Sequence, residues 1–454
     1  MSAPVTRRTF LRGVGAGAAA VHVVGAHVLG GSAEKPPPSD TLTLAGIGCG
    51  GRGGHDIRRI AGLGGQFVAL CDVDDKRAAG TYKKFPKAKT FHDFRKMLDK
   101  VEGEIDAVVV GTPDHTHAVA VMDAMKRGKH VYCEKPLAHS IWEVRELMKA
   151  ARKHKVVTQL GNQGHSSEHI RLFVEWIRDG AIGQVQTVHA GCGAYRNVYC
   201  QINKLPELKK RPEVPDHLDW NLWLGPAAYR PYSPVFVPWN WRGWTPFGTG
   251  CIGDWVCHVV DPSFWALDLG APTSVRAEVE GYDPKKHHLC YPPATKITYE
   301  FPKKGNRGPV TLIWYDGTNK IPRPEDLGPK RNVPGTGAIV VGTKGTIMHG
   351  SHGAGGCRLI PESAMKAYDR PEKSIPRVKN GHHGDWVQAV RQGRKAGSDF
   401  ADYGGPLTEL ALLGMIAIWY PGQTLRWDTE KMQFTNFSEA NRHVKPQFRK
   451  GWTL

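Results

Sequence analysis

Several things are missing from this chain, and each absence removes a class of protein. The nine cysteines are odd in number and scattered, with no Cys-x-x-Cys pair, so neither a zinc knuckle nor a redox dithiol has its ligands. The most apolar stretch, residues 13–30, carries His22 and His27 and is too short and too polar for a stable membrane span. A long basic block and a DNA-binding motif are also absent. The 61 Lys and Arg against 43 Asp and Glu leave a net +18, yet most basic residues lie within a few positions of an acid, so nucleic acid is not an expected partner. What remains is ordinary globular composition, 40% hydrophobic, 23% charged and 9% aromatic, which excludes long disorder, a collagen-like repeat and a coiled-coil rod. At 454 residues the chain is long enough for two domains.

The first residues read as an address rather than as structure. Thr6-Arg7-Arg8-Thr9-Phe10-Leu11-Arg12 matches a twin-arginine export signal, and the weakly apolar stretch behind it leads to Gly31-Ser32-Ala33, small residues where a signal peptidase reads. Cleavage is expected after Ala33, which makes residues 34–40, with Lys35-Pro36-Pro37-Pro38, a short stiff spacer. The expected destination is periplasmic or extracellular. That route accepts proteins already folded, often around a cofactor. Residues 1–33 carry Arg7, Arg8 and Arg12 and no acid, so three of the excess positive charges belong to the signal.

From residue 41 the text alternates between strands and helices. Residues 41–47 run apolar, as a buried parallel strand does, and lead into Gly46-Ile47-Gly48-Cys49-Gly50-Gly51-Arg52-Gly53. A G-x-G-x-x-G spacing falls on Gly46, Gly48 and Gly51, with Gly50 and Arg52 in the same turn. Such a turn lets a pyrophosphate approach the N-terminus of the helix predicted over 55–63. A second strand, 67–71, ends in Asp72, where a carboxylate accepts from ribose hydroxyls and repels a 2′-phosphate. NAD is therefore expected over NADP, with Lys76 and Arg77 keeping NADP open. Strands at 105–111, 130–133 and 156–160 and helices over 118–127 and 141–154 complete a doubly wound parallel sheet over residues 41–160. Ligands bind beyond the carboxyl ends of such strands, which here carry Thr112-Pro113, Glu134-Lys135-Pro136 and Asn162-Gln163.

These motifs resemble the glucose-fructose oxidoreductase/inositol dehydrogenase/MocA-like (Gfo/Idh/MocA) family. The resemblance rests on the glycine turn, on Thr112-Pro113 followed by His117, and on Gly128-Lys129-His130-Val131-Tyr132-Cys133-Glu134-Lys135-Pro136-Leu137-Ala138. With later motifs it covers essentially the whole chain after the signal. It implies a Rossmann domain followed by an α+β domain with an open-faced, mainly antiparallel sheet, here residues 161–454. The implied chemistry is hydride transfer from a hydroxyl of a sugar, polyol or similar compound to NAD(P). Thr112, Pro113, Glu134, Lys135, Asn162 and Gln163 would border the cofactor, and His117 would touch cofactor or substrate.

The second half is read as a helix over 169–178, a strand at 185–190, a Pro- and Trp-rich insertion over 195–250, and strands at 274–279, 296–301, 310–315 and 338–341. Strands without intervening helices suit an antiparallel sheet with one face on a helix and the other open. An open face of this kind commonly closes in a dimer or tetramer, so a homo-oligomer is expected. Helices over 383–392 and 407–419, within the closing stretch 383–420, are expected to return toward the first domain. The sharpest feature is Gly253-Asp254-Trp255-Val256-Cys257-His258: on a helix over 253–266, Asp254 and His258 share a face. Oxidising an alcohol needs a base for the hydroxyl proton, and a neutral imidazole serves near pH 7. By the family match Lys135, Asp254 and His258 form the catalytic trio, with His258 as base, Asp254 orienting it and Lys135 on the reacting oxygen. The same Asp/His pair is also able to hold a divalent metal, but no zinc-site spacing is complete and no metal is expected. His382 and His383 are read as structural or merely near the cleft.

Seven of the fourteen Trp lie between Trp220 and Trp265, several of them just before this helix. Indole faces stack on the apolar faces of sugar rings and Arg binds hydroxyls, so Trp241 and Arg242 are expected substrate contacts; packing of the insertion or a subunit interface is the competing use of these Trp. A secreted protein meets no supply of free NAD, so the cofactor is expected to be tightly bound. The expected function is an exported NAD(P)-dependent oxidoreductase acting on a carbohydrate or polyol. The alternatives are an NAD-dependent glycosidase working by transient ring oxidation, a metal-dependent keto-sugar lyase or hydratase with Asp254 and His258 as ligands, and a non-catalytic sugar- or cofactor-binding module.

Overall fold

The computed structural model describes residues 41–193 and 198–454; the export signal, its cleavage point, the spacer 34–40 and residues 195–197 of the predicted insertion lie outside them. Six strands, β1 (Leu42–Ile47), β2 (Gly65–Cys71), β3 (Lys89–Phe91), β4 (Ala107–Val110), β5 (His130–Glu134) and β6 (Thr158–Gly161), pair in parallel in the order β3-β2-β1-β4-β5-β6. Helices α1 (Gly51–Ala61), α2 (Asp75–Lys84), α3 (Phe94–Val101), α4 (Asp114–Lys126) and α5 (Ile141–His154) join them. β4 and β6 are buried along their whole length, which is why Ala107–Val110 reads as an unbroken apolar run rather than as alternation. Asp74, Asp93 and Ser140 cap α2, α3 and α5 by accepting a backbone N–H of the first turn. The strand order reverses between β1 and β4, and the crevice beyond their carboxyl ends is where such sheets bind ligands.

Two differences from the sequence expectation bear on the site. α1 begins at Gly51 rather than at residue 55, because glycines let its first turn lie on the preceding loop: a Cβ on Gly53 would sit 2.0 Å from the Gly48 carbonyl oxygen. The helix expected over 253–266 is two helices, α7 (Gly250–Val259) and α8 (Asp261–Ala266). Pro262 has no N–H to return to the carbonyl of His258, so the first helix stops there.

After α6 (Glu168–Arg178) the chain builds a nine-stranded sheet. Its strands are β7 (Val185–Cys192), β8 (Ser274–Glu280), β9 (Ala294–Phe301), β10 (Val310–Asp316), β11 (Thr336–Gly342), β12 (Thr346–Gly350), β13 (Arg358–Ile360), β14 (Thr424–Asp428) and β15 (Gln433–Phe434). The order is β13-β12-β11-β7-β10-β9-β8-β14-β15, antiparallel throughout except for the β7–β10 pair. β8 shows the one-sided pattern, with Val275 and Ala277 buried and Arg276 and Glu278 exposed. The buried face receives α10 (Gly405–Ile418), a helix apolar on nearly every side because α5 and α7 flank it as well. Gly414 brings it in close: a Cβ there would meet the Tyr299 hydroxyl at 2.0 Å. α9 (Gly381–Gln392) lies against the first sheet, with Trp386 5.7 Å from Tyr132 of β5.

Candidate active site

A cleft of about 480 Å³ is lined at one end by the glycine turn and at the other by α7. Gly48 (φ 82°) has no room for a side chain, since a Cβ would lie 2.7 Å from the Gly111 carbonyl carbon and the Thr112 nitrogen. α1 starts with no side-chain cap and no acid in its first turn, so its leading N–H groups are suited to receive an anion. A Cβ on Gly50 or Gly51 would run against Arg77, at 3.1 and 2.9 Å. A pyrophosphate fits this cradle. Asp72 accepts from the N–H groups of Cys49 (2.7 Å) and Gly50 (3.1 Å) through one oxygen and of Asp74 (3.0 Å) through the other, so it braces the turn as well as facing the ribose position.

Thr112, Pro113, Glu134, Gln163 and Arg52 also line the cleft. Arg52 reaches Asp56 (3.0 Å) and Glu134 (3.1 Å), and Gln163 donates to Glu134 (2.6 Å) and to the Tyr132 hydroxyl (2.8 Å). Burial, with Asp56 beside it, pushes the Glu134 carboxyl up to about 7. Three expected cofactor contacts sit elsewhere. Gly46 lies beneath α1, where a Cβ would meet Ile57 at 2.7 Å, so it serves helix-on-strand packing. His117 is buried, its two nitrogens 2.7 Å from the Pro136 oxygen and 2.8 Å from the Thr112 oxygen, and it braces the loop that carries Lys135. Asn162 is buried and donates to Asp261 of α8 at 3.3 Å. His382 bonds the Leu160 carbonyl (2.7 Å) and the Ser166 hydroxyl (2.7 Å), and His383 bonds Asp56 (2.8 Å) behind the Arg52 ion pair.

At the other end the Lys135 ammonium is paired with Asp254, and the Tyr199 hydroxyl donates to the second Asp254 oxygen. Arg242 lies 3.6 Å from that oxygen, and the Trp255 indole donates to Tyr199 at 2.9 Å. Asp254 therefore does not orient His258. It shares a helix face with His258, but two cations and a phenol take both its oxygens. Burial alone would raise the Asp254 carboxyl, yet Lys135 and Arg242 hold it well below the usual range. Burial would likewise lower Lys135, but Asp254 and Glu134 hold its ammonium above the ordinary lysine value. Burial, followed by the charge of Lys135 and by His352, pushes His258 well below an ordinary histidine. His258 is thus a neutral imidazole beside a fixed positive charge. Its Nδ1 is buried without a hydrogen-bond partner, and its ring stacks on His352 at 4.2 Å. Among the described residues no three His, Cys, Asp or Glu side chains converge as a metal site.

Tyr199, Trp255 and His352 were not singled out from the sequence. Tyr199 lies in the insertion, with no motif around it; His352 sits in Gly350-Ser351-His352-Gly353-Ala354-Gly355-Gly356, where a lone His among glycines was the available signal. The insertion uses its Trp in two ways. Trp220 stacks on Trp223 (4.8 Å) and Phe236 packs on Trp244 (5.0 Å), which forms a core of its own. Trp239 and Trp241, the latter also part of that core, flank Arg242, whose guanidinium lies 4.5 and 4.2 Å from their rings at the cleft wall. The insertion is also tied to the cofactor end. The Asp219 N–H donates to Val73 (2.8 Å), the Asp75 N–H to His217 (2.9 Å), and His217 pairs with Asp74 (3.0 Å). Arg449 of the tail bonds the Gly225 carbonyl (2.5 Å) and Asn221 (2.8 Å), and Trp452 lines the cleft beside Phe94.

Residues 42–162 match the oxidoreductase family with an NAD-binding Rossmann fold, and residues 184–454 match the C-terminal alpha/beta domain of the same family. The chain is 29% identical over 213 residues to glycosyl hydrolase family 109 protein 2 of Akkermansia muciniphila, covering 43% of each chain. It is 30% identical over 200 residues to inositol 2-dehydrogenase of Gluconacetobacter diazotrophicus, covering 43% of this chain and 58% of that one. The matched regions thus span about half the length of these relatives. In structure it is similar to an inositol dehydrogenase homolog complexed with NAD+ from Azotobacter vinelandii, with a TM-score of 0.57 at 15% identity, over 87% of this chain and 99% of that one. With a glycine-built cradle that fits a dinucleotide and family matches across both halves, the chain belongs to the Gfo/Idh/MocA oxidoreductase family and carries its NAD-binding Rossmann fold.

Proposed function

We propose that this protein is an exported, NAD-dependent dehydrogenase of a carbohydrate or polyol hydroxyl that keeps its cofactor between turnovers. The observation that carries the reading is the pairing, in one cleft, of a dinucleotide cradle with a neutral buried imidazole beside a protonated lysine. NAD, when bound, supplies the hydride acceptor. His258 takes the hydroxyl proton, which its depressed pKa permits because the ring is neutral and unoccupied at the start. The Lys135 ammonium donates a hydrogen bond to the reacting oxygen and steadies its negative charge, while Asp254, held by Tyr199 and Arg242, keeps that ammonium in place and charged. Arg242, gripped by Trp239 and Trp241, offers its remaining N–H groups to the substrate.

The strap made by residues 217–219 and by Arg449 and Trp452 beside the adenosine end supports cofactor retention. Export through the twin-arginine route and assembly through the open face of the second sheet belong to the same proposal, on the strength of the first residues and of the sheet pattern. Native mass spectrometry of protein purified without added cofactor tests the core of it: one dinucleotide per chain is expected, and a chain with none overturns retention. Incubation of the holoprotein with myo-inositol or glucose should produce NADH absorbance. Release of phenol from an aryl glycoside without net NADH would replace the dehydrogenase by the glycosidase reading that the family 109 relative favours.

A further inference from the structure

The turn after β12 is left-handed at three successive residues, His352 (φ 54°), Gly353 (φ 89°) and Ala354 (φ 59°). Only glycine adopts that conformation freely, so the two residues with side chains are held there against their preference. The holding contacts come from the segment just past β6. The Ser167 hydroxyl donates to the Gly353 carbonyl at 2.9 Å, and a Cβ on Gly353 would lie 2.1 Å from the Gly164 oxygen. The turn is thus clamped between the strand ends of both halves, and strain kept in this way is expected where geometry matters for chemistry.

What the clamp places is the His352 ring. It lies 4.2 Å from His258 with 21° between the planes, and edge-on to Trp255 at 5.6 Å. Both rings line the cleft, His258 as a buried residue and His352 as an exposed one. Nδ1 of His352 is engaged by the Ser351 hydroxyl at 2.9 Å, which leaves Nε2 for a group in the cleft. Two nearly parallel imidazoles 4.2 Å apart thus line one wall of the cleft, close enough for one to serve as the base and the other as a second polar contact to the same sugar or polyol ring.

We propose that His352 is a specificity-determining residue that contacts, through Nε2, the hydroxyl next to the one His258 deprotonates. This rests on the reading of the cleft as a carbohydrate or polyol dehydrogenase. The test pairs variants with deoxy probes on the holoprotein: glucose and myo-inositol, each against derivatives lacking one hydroxyl beside the oxidised carbon. Wild type should lose about ten-fold or more in kcat/KM when that neighbouring hydroxyl is removed, mostly in KM. His352→Phe keeps a flat ring over His258 without the nitrogen, and the same deletion should then change kcat/KM by no more than about two-fold. His352→Gly should raise Tm by relieving the turn and lose the discrimination as well, which a purely structural role would not produce. Discrimination in His352→Phe equal to wild type overturns the proposal, as does an equal loss on every probe in both variants. Where wild type moves no hydride, calorimetry of the same probes decides. Binding that depends on the neighbouring hydroxyl in wild type and not in His352→Phe keeps the contact and discards the redox reading; binding of none discards both.

Discussion

The two ends of the cleft are built by different means. At the cofactor end the working parts are backbone: an uncapped helix start, a turn of glycines, and Asp72 bracing that turn, almost all within residues 46–72. At the substrate end they are side chains delivered from separate stretches, Lys135 after β5, Tyr199 and Arg242 from the insertion, Asp254 and His258 on α7, and His352 from the turn after β12. A dinucleotide presents the same pyrophosphate whatever the substrate, so a local backbone motif suffices for it. A substrate hydroxyl must be met by charge in a fixed arrangement, and that is assembled only when the second sheet has docked on the first.

If the ends are this separate, each should break alone. Lys135→Met removes the ammonium without touching the cradle, and kcat/KM is expected to fall by about 10³-fold while native mass spectrometry still finds one dinucleotide per chain. Loss of the dinucleotide in that variant would join the two ends. Gly48→Ala is the reciprocal break. Its Cβ would meet the Gly111 and Thr112 backbone at 2.7 Å from a positive φ, so a cost of about 1–3 kcal/mol in denaturant titration and an empty cradle are expected. Asp72→Ala sharpens the comparison further. A carboxylate that only read the ribose would favour NAD over NADP, but this one also satisfies three N–H groups of the turn. Both cofactors should weaken by about ten-fold, and a loss confined to NAD would return Asp72 to a role in ribose reading alone.

The same division governs what could be read in advance. Strands buried on both faces, such as β4, and helices with capped starts, such as α5, announce themselves through composition and local spacing. The short strands at the sheet edges do not: β3 has three residues, two of them exposed, and β13 and β15 are equally brief. Gly48, Lys135 and His258 could be named because chemistry and motif coincide at each. The partnership of Asp254 could not, because helical spacing gives its neighbours along α7 but not Tyr199, which arrives from 55 residues away. His117 and Asn162 show the opposite: each occupies a motif position just past a strand, yet the His117 nitrogens hold the Pro136 and Thr112 carbonyls and the Asn162 amide reaches Asp261.

The mildest expected effect concerns pH, and it tests whether the substrate end depends on burial. A base must be neutral to accept the substrate proton, so activity is lost as pH falls through its pKa in the folded enzyme. Burial, Lys135 and His352 all disfavour the imidazolium of His258, which moves that loss to lower pH. An unperturbed histidine near 6.5 would already cost about four-fold between pH 7.5 and pH 6, whereas a strongly depressed His258 should cost less than about two-fold over the same interval. Glu134, pushed up to about 7, titrates within that window and could place a limb of its own there through its effect on Lys135. Glu134→Gln separates the two. If a limb near 7 disappears with Glu134, the cofactor side reaches into the chemistry through Lys135; if it stays, His258 is less shielded than its burial implies.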